Sequence, residues 1–278
     1  NKILYVTTTG MFHSSDGVNF SSVAFSGGVP FTFAESGSGD KFAEINGNIY
    51  FIASASGVYK IYKYDGVSIT TAYSFASGLN VNRVAGAKNL LYLEVNNQSK
   101  AELWVYNTLT NQGTLLKGNF TPNQAIGLLF AKLSGTKRFQ SYATIDDKIL
   151  FTGANADTGA LDFEVWGSDG TVAGTKMLKD IAPGGNAYSV PSNFISKGGK
   201  VYFSTTYNGS SPGCYRLWES DGTIAGTIEY TKRPPGVTYA PGCSNNNNLF
   251  MGFYTWDSYG APNQTLLEYN NSLYEFSP

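Results

Sequence analysis

The feature that most constrains the fold is an eleven-residue motif that occurs twice. "VWGSDGTVAGT" spans residues 165–175, and "LWESDGTIAGT" spans residues 217–227, 52 residues further on. Two copies at this separation predict a repeated supersecondary unit. A trio of β-branched, aliphatic or aromatic residues precedes each copy, and similar trios lie 42–58 residues apart along the whole chain, at 4–6, 49–51, 91–93, 149–151, 201–203 and 249–251.

Each unit is predicted to contain four short strands. In the fifth unit, four runs rich in β-branched and aromatic residues are bounded by Gly, Asn, Asp or Pro: 193–197, 200–207, 215–221 and 226–231. Four-stranded units of roughly 40–50 residues are typical of β-propeller blades. We therefore expect an all-β protein, a single six-bladed β-propeller of four-stranded antiparallel blades. The predicted units are 1–38, 39–82, 83–138, 139–191, 192–242 and 243–278.

The two ends of the chain depart from this pattern. The first unit begins at its second strand, so blade one lacks an innermost strand. The run 272–277 follows a tight Asn270–Asn271 turn and is assigned as strand four of blade six. Pairing of that run with blade one, which would close the ring, is the alternative.

The repeated motif is predicted to join the third strand of a blade to the fourth. Asp169 and Asp221 can accept hydrogen bonds from backbone amides of their own turn, while Gly170 and Gly222 can supply positive φ. A structural role is favoured over a ligand or calcium role. Asp16 is expected to play the same part in "HSSDGVNF", residues 13–20.

These motifs resemble the ELWxSDGTxxGT repeats of bacterial secreted and surface proteins. The match is specific in units four and five, where "KMLKDIAPGG" follows the first copy, and "HSSDGVNF" resembles an Asp-box turn. In units two and three, "YKIYKYDG" (59–66) and "ELWVYNTLTNQGT" (102–114) replace the motif. The resemblance implies a β-propeller in an extracellular setting. It implies no catalytic residues, because turns define this class of repeat.

Charge and residue counts exclude several functions. Charged residues make up 14% of the chain and the net charge is −1, with no basic stripe, so nucleic acid is not an expected partner. No apolar run approaches the roughly 18–20 residues of a membrane span. Two cysteines and His13 are too few for a structural zinc site built from cysteine and histidine alone. We predict no metal and no cofactor.

The predicted binding face carries the loops from strand two to three and from strand four to the next strand one. These loops are long and variable, and loops on a rigid scaffold commonly carry function. They comprise 96–101, 155–162, 208–214, 256–264, 180–192 and 232–243. Cys214 and Cys243 end two such loops on adjacent blades, which predicts a disulfide and a non-cytosolic protein; two buried thiols are the alternative.

Aromatic and polar residues in these loops form the candidate ligand site. Aromatic faces beside amide and carboxylate groups suit a sugar, although the rings could instead only pack the loops onto the blades. The candidates are Trp256, Asp257, Tyr259, Tyr239, Tyr188 and Asn208. Asp157, Asp162 and Asp257 could in principle supply the paired carboxylates of a glycosidase, but no spacing selects a pair.

We therefore predict an extracellular, non-catalytic binding or adhesion module, with carbohydrate as the favoured ligand. Its expected partner is a glycan, a cell-surface protein or another copy of the chain. A structural subunit of a surface layer or filament is the first alternative. A glycoside hydrolase or sialidase-like enzyme is the second alternative.

Overall fold

The protein is built from β-strands and turns. The computed structural model describes residues 3–7, 10–14, 16–25, 41–97, 100–120, 142–154, 163–183, 189, 191–206, 215–230, 265–269 and 272–276. Those residues form 22 strands in six sheets. They include no helix, and so none long and apolar enough to cross a membrane. The predicted all-β class is confirmed.

The chain divides into two compact units. The first comprises Asn1–Ser99 and Leu103–Leu115, and the second comprises Lys100–Glu102 and Leu116–Pro278. The first sheet belongs to the first unit and has three strands in chain order, namely β1 (Ile3–Thr7), β2 (Gly10–Ser14) and β3 (Ser21–Ser22).

The second sheet has five strands and departs from the predicted blade. Its order is β4-β8-β7-β6-β5, with β4 (Ala24–Phe25), β5 (Phe42–Ile45), β6 (Asn48–Ala55), β7 (Val58–Tyr64) and β8 (Ser68–Ser74). Strand β4 pairs with β8 in parallel, whereas the other pairs are antiparallel. The neighbouring Val23 packs on a buried cluster of this sheet, which holds the segment beside the otherwise unpaired edge of β8.

The third sheet has four strands in the order β12-β11-β10-β9. They are β9 (Leu79–Ala87), β10 (Leu90–Asn97), β11 (Lys100–Asn107) and β12 (Gln112–Phe120). Strand β9 crosses the boundary predicted between residues 82 and 83. The loop predicted at 96–101 is wrong, because strand pairing continues to Asn97 and resumes at Lys100, leaving two connecting residues.

The second unit contains two four-stranded antiparallel sheets in chain order. The fourth sheet comprises β13 (Tyr142–Ile145), β14 (Lys148–Ala154), β15 (Phe163–Ser168) and β16 (Lys176–Lys179). The fifth sheet comprises β17 (Ser192–Lys197), β18 (Lys200–Thr206), β19 (Tyr215–Ser220) and β20 (Ile228–Glu229). These four strands lie within the four runs predicted for unit five, apart from one residue at the start of β17.

A two-stranded antiparallel sheet near the end of the chain completes the described strands. It pairs β21 (Thr265–Tyr269) with β22 (Ser272–Phe276). The predicted trio at 249–251 lies outside the described residues. Strands of consecutive sheets also contact one another: β5 contacts β9, β13 contacts β17, and β17 contacts β21.

Strand two of each full sheet is buried on both faces. In β6, Tyr50 and Ile52 join one apolar cluster, while Phe51 and Ala53 point the opposite way into another. This period-two alternation with burial on both sides is expected for a sheet covered on each face. In the second unit, Trp218 lies in a cluster with Leu150 and Phe203, in keeping with the strand position predicted for it.

Candidate functional site

The loop residues predicted to bind ligand lie outside the described residues and stay predictions. They are Tyr188, Asn208, Tyr239, Trp256, Asp257 and Tyr259. The same holds for Cys214 and Cys243, and for the carboxylates Asp157 and Asp162. The described chain nevertheless contains the turns from strand three to four and several buried charged groups on the strands.

The two copies of the repeated motif fold into the same turn between strands three and four. Asp169 Oδ1 accepts hydrogen bonds from the backbone N–H of Thr171 at 2.9 Å and from its hydroxyl at 2.7 Å. Asp221 accepts the same two bonds from Thr223, at 2.9 and 2.7 Å. Gly170 and Gly222 have φ of +85° and +83°, a region that favours glycine.

The remaining residues of the motif also stabilise this turn. Ser168 and Thr175 join the two strand ends through their hydroxyls, which are 2.7 Å apart. The backbone N–H of Gly174 donates to Thr171 Oγ1 at 2.9 Å. A side chain at Gly174 would overlap the Asp169 carboxylate, since an added Cβ would lie 1.9 Å from its Oδ1. The repeated sequence is thus accounted for by the geometry of the turn.

In units one to three, the corresponding turn is closed in the same way, by an Asp or Asn side chain that accepts hydrogen bonds from backbone amides, without the full motif. Asp16 Oδ1 accepts from the amides of residues 18 and 19, at 2.9 and 2.8 Å. Asp65 accepts from the amides of residues 67 and 68, at 2.9 and 2.8 Å, and Asn107 from those of 109 and 110, at 2.9 and 3.2 Å. Asp65 and Asn107 were not predicted from the sequence as residues that close these turns. The signal available was an Asp or Asn at the end of a third strand, the residues that form Asx turns.

These hydrogen bonds stabilise the ionised carboxylates. The amides of Asn19 and Val18 hold the pKa of Asp16 far below its usual range, and the hydroxyl and amide of Thr223 lower the pKa of Asp221. For Asp169, burial alone would raise the pKa, but the hydrogen bonds from Thr171 outweigh it and the pKa is lowered. In the described chain, no group of three or more His, Cys, Asp or Glu side chains is arranged to hold a metal ion.

Each of these five turns also exposes one aliphatic side chain at its tip. The exposed fractions are large, at 79%, 71%, 69%, 61% and 55% for Val18, Val67, Leu109, Val172 and Ile224. The hydrogen bonds that fix each turn involve backbone and polar groups, so the turn itself requires no apolar side chain at this position. We name these residues the turn-tip aliphatics.

A charged cluster lies at the start of β5 in the second sheet and on β9 and β10 in the third. Lys41 immediately precedes β5, and its Nζ donates to the backbone carbonyl of Asn82 in β9. Arg83 Nη1 lies 3.1 Å from Glu94 Oε2, and the Asn82 side-chain amide donates to Glu94 Oε1 at 3.4 Å. Only 13% of the Arg83 side chain and 6% of the Glu94 side chain are exposed. We name Lys41, Asn82, Arg83 and Glu94 the inner-strand cluster.

Lys41 is electrostatically strained within this cluster. Burial lowers the pKa of its amino group, the nearby Arg83 guanidinium lowers it further, and Glu94 opposes both. The cluster therefore holds two cations and one carboxylate in a poorly solvated setting, where each uncompensated charge costs more than at the surface.

A second buried carboxylate organises a loop of the second unit. Glu164 in β15 is fully buried and accepts hydrogen bonds from the amides of Ile181 and Ala182 at 2.9 and 3.1 Å, and from the hydroxyl of Ser189 at 2.8 Å. These partners belong to the connection from β16 to β17. Glu164 thus fixes the start and the end of one loop that was predicted to line the binding face.

Comparison with known proteins identifies similarities of fold. No protein family matches the sequence, and no curated protein matches it. Two solved structures that resemble it are TolB from Acinetobacter baumannii, at 16% identity and a TM-score of 0.42, and an oligogalacturonate lyase in complex with manganese, at 10% and 0.45. The alignments cover 82% and 84% of this chain, but only 51% and 62% of those proteins. This chain thus spans about half the length of that TolB.

A putative TolB from Agrobacterium tumefaciens is also similar, at 13% identity and a TM-score of 0.39, over 82% of this chain and 76% of that one. The described sheets are antiparallel apart from the β4–β8 pair, and the protein belongs to the all-β class.

Proposed function

We propose that the protein is an extracellular, non-catalytic six-bladed β-propeller that binds a ligand on the side of its loops, with a carbohydrate as the favoured ligand. The observation that carries this proposal is the inner-strand cluster. Partly buried charged groups contribute little to stability on balance, and their presence in a protein of low charge favours a functional role. Lys41 immediately precedes β5, which starts at the edge of its sheet where β8 ends, and we assign Lys41 to that side.

The contrast between the two sides of the sheets supports this assignment. Each turn from strand three to four is closed by its own side-chain hydrogen bonds to an Asp or Asn, whether the turn is short, as at 65–67, or longer, as at 169–175. The connections from strand two to three vary, from two residues at Ser56–Gly57 to the eight residues between β14 and β15. Variable connections on a uniform scaffold are where binding specificity is usually found.

The described carboxylates favour binding over glycoside hydrolysis. Both oxygens of Glu94 accept hydrogen bonds, from Arg83 and Asn82, and both oxygens of Glu164 accept from three donors. A general acid or base must exchange its proton with the substrate, which such engaged groups do poorly. His13 lies with its Nδ1 2.5 Å from the Tyr64 hydroxyl, which assigns the one histidine of the chain a packing role.

The extracellular setting rests on the sequence motifs and on the predicted Cys214–Cys243 disulfide. Intact-mass measurement of the unreduced protein, before and after alkylation, tests the disulfide. Two alkylated thiols in the unreduced protein would remove this support.

A glycan array tests the proposed binding. We expect reproducible binding to a limited set of glycans, abolished by Trp256→Ala or Tyr259→Ala. Phe20→Ala is the matched control, because Phe20 is an exposed aromatic residue next to the turn side of the first sheet. No binding across the array by the folded protein would refute the carbohydrate proposal, and equal losses in the control would refute the proposed location.

Self-association into a layer or filament is the second candidate function, favoured by the turn-tip aliphatics. Exposed aliphatic side chains repeated at equivalent turns offer apolar contacts to a second copy, and a net charge of −1 opposes association little. Sedimentation velocity of the double variant Val172→Ser, Ile224→Ser tests this. We expect weaker concentration-dependent association than in the wild type, with Leu115→Ser, a strand residue 40% exposed, as control. A monomeric wild type at all concentrations would refute it.

A further inference from the structure

We propose that the inner-strand cluster is a subsite for an anionic substituent, a carboxylate or sulfate, so that the ligand of this protein is an acidic saccharide. The inference rests on the proposed carbohydrate-binding function and adds the class of sugar. It follows from how the charges of Lys41, Arg83 and Glu94 are distributed among the groups around them.

The only carboxylate of the cluster is hydrogen-bonded to groups other than Lys41. Glu94 Oε2 pairs with Arg83 at 3.1 Å, and Glu94 Oε1 accepts from Asn82 at 3.4 Å. Lys41 donates instead to the carbonyl of Asn82, which is a neutral acceptor. Among the described residues, no carboxylate lies within ion-pair distance of the Lys41 ammonium group. Within the described chain, the charge of Lys41 is therefore not compensated by an ion pair.

An ammonium group has three N–H donors, and the Asn82 carbonyl uses one of them. A carboxylate or sulfate oxygen can accept from the others while it compensates the charge. Compensation would also relieve the repulsion between Lys41 and Arg83, which contributes to the lowered pKa of Lys41. Because the cluster is partly dehydrated, such an ion pair is stronger than one at the open surface.

The position of Lys41 suits contact with a ligand. It is half-buried and immediately precedes β5, which contacts β9. Strand β5 starts at the edge of its sheet where β8 ends, and the connection that follows a fourth strand is of the kind predicted to form the binding face. A purely structural Lys41 would only tie the start of β5 to β9, and that role predicts no dependence on the charge of a ligand.

Titration calorimetry with matched saccharides tests the inference. The probes are a glucuronate-containing oligosaccharide, its carboxyl-reduced neutral counterpart and a sulfated form of that neutral counterpart. We expect at least one anionic probe to bind about tenfold or more tighter than the neutral one, with an affinity that falls as salt rises. Lys41→Gln should abolish the preference, and Lys41→Arg should keep it. Lys60→Gln removes a lysine from β7 of the same sheet and should change nothing.

The outcomes separate this inference from the function on which it rests. Equal binding of all probes, unchanged by Lys41→Gln, would overturn the anionic subsite and leave carbohydrate binding intact. No binding of any saccharide would overturn the proposed function itself. If Lys41→Gln does not fold, the thermal stabilisation of the wild type by each probe gives the same comparison without a variant. Equal stabilisation by acidic and neutral probes would then overturn the subsite.

Discussion

Replacement of Gly174 by alanine places a methyl group on the carboxylate of Asp169. The added Cβ would lie 1.9 Å from Asp169 Oδ1 and 2.2 Å from its Cγ, whereas ordinary contacts of a Cβ lie at 3.4–4 Å. Gly174 is not among the glycines with positive φ, so its backbone tolerates alanine and the conflict is with the carboxylate alone. The carboxylate must move by more than 1 Å, which breaks its two bonds from Thr171.

The expected cost follows from those two hydrogen bonds. Bonds to a charged acceptor contribute roughly 1.5–3 kcal/mol each when well shielded, and about half of that at an exposed turn. Losing both costs about 1.5–3 kcal/mol, and the lower entropy of the unfolded alanine chain offsets about 0.4–1 kcal/mol. We therefore expect Gly174→Ala to lower the free energy of unfolding by about 1–2 kcal/mol.

Denaturant unfolding of a double-mutant cycle checks this mechanism. In an Asp169→Ala background the carboxylate is gone, so Gly174→Ala should cost less than about 0.5 kcal/mol. Gly118→Ala is the matched control, because an added Cβ there meets nothing within 4 Å. Gly226 and Asp221 form the same pair in the other turn, at 2.0 Å, and should repeat the result. An equal cost in both backgrounds, or no cost in the wild type, would refute the reasoning.

Three further predictions concern buried and ionised groups. Glu164→Ala should cost about 3 kcal/mol, because it leaves two amides and a hydroxyl without their acceptor, and limited proteolysis should cut the connection at 180–191 faster. The lowered pKa of Asp221 stabilises the fold above the unfolded pKa of about 3.9, and this contribution is lost as pH falls through the folded pKa. The melting temperature of Asp221→Asn should therefore fall less between pH 5 and 2 than that of the wild type; an equal fall contradicts the assignment. Trp218→Phe removes a 3.1 Å bond to Thr205 and should cost about 1–2 kcal/mol by denaturant unfolding, and no loss would contradict the bond.

The sequence was sufficient for the turns and strands because their determinants are local. In the motif at 165–175, Asp169 contacts residues two positions away, and Ser168 contacts Thr175 seven positions away. Each of these partners lies within the motif itself. The strands of unit five were predicted nearly to the residue for a similar reason, since Gly198–Gly199 and other turn residues mark where each strand begins.

The inner-strand cluster, the contacts of Glu164 and the position of strand β4 could not be predicted, because they depend on contacts between residues that are distant in the sequence. Lys41 meets Asn82 41 positions away, and Glu164 meets Ser189 25 positions away. No spacing in the sequence selects such pairs. Strand β4 could not be placed either, because two residues carry too little pattern to show that they would pair with β8 of the next unit. Loop length also differs between units, with two residues between β6 and β7 and eight between β14 and β15.

The loop ends of neighbouring strands argue for one specialised site over a pocket repeated in every blade. Glu164 and Arg216 occupy the same position relative to the repeated motif, opposite Gly153 in one sheet and Thr205 in the next. Glu164 binds the amides of the following connection, whereas Arg216 lies 3.8 Å from Glu229 of its own sheet. Equivalent positions thus carry opposite charges and hold different partners. Because each turn on the other side closes by its own hydrogen bonds, the scaffold does not require these loop ends to match, and their chemistry differs between these two units.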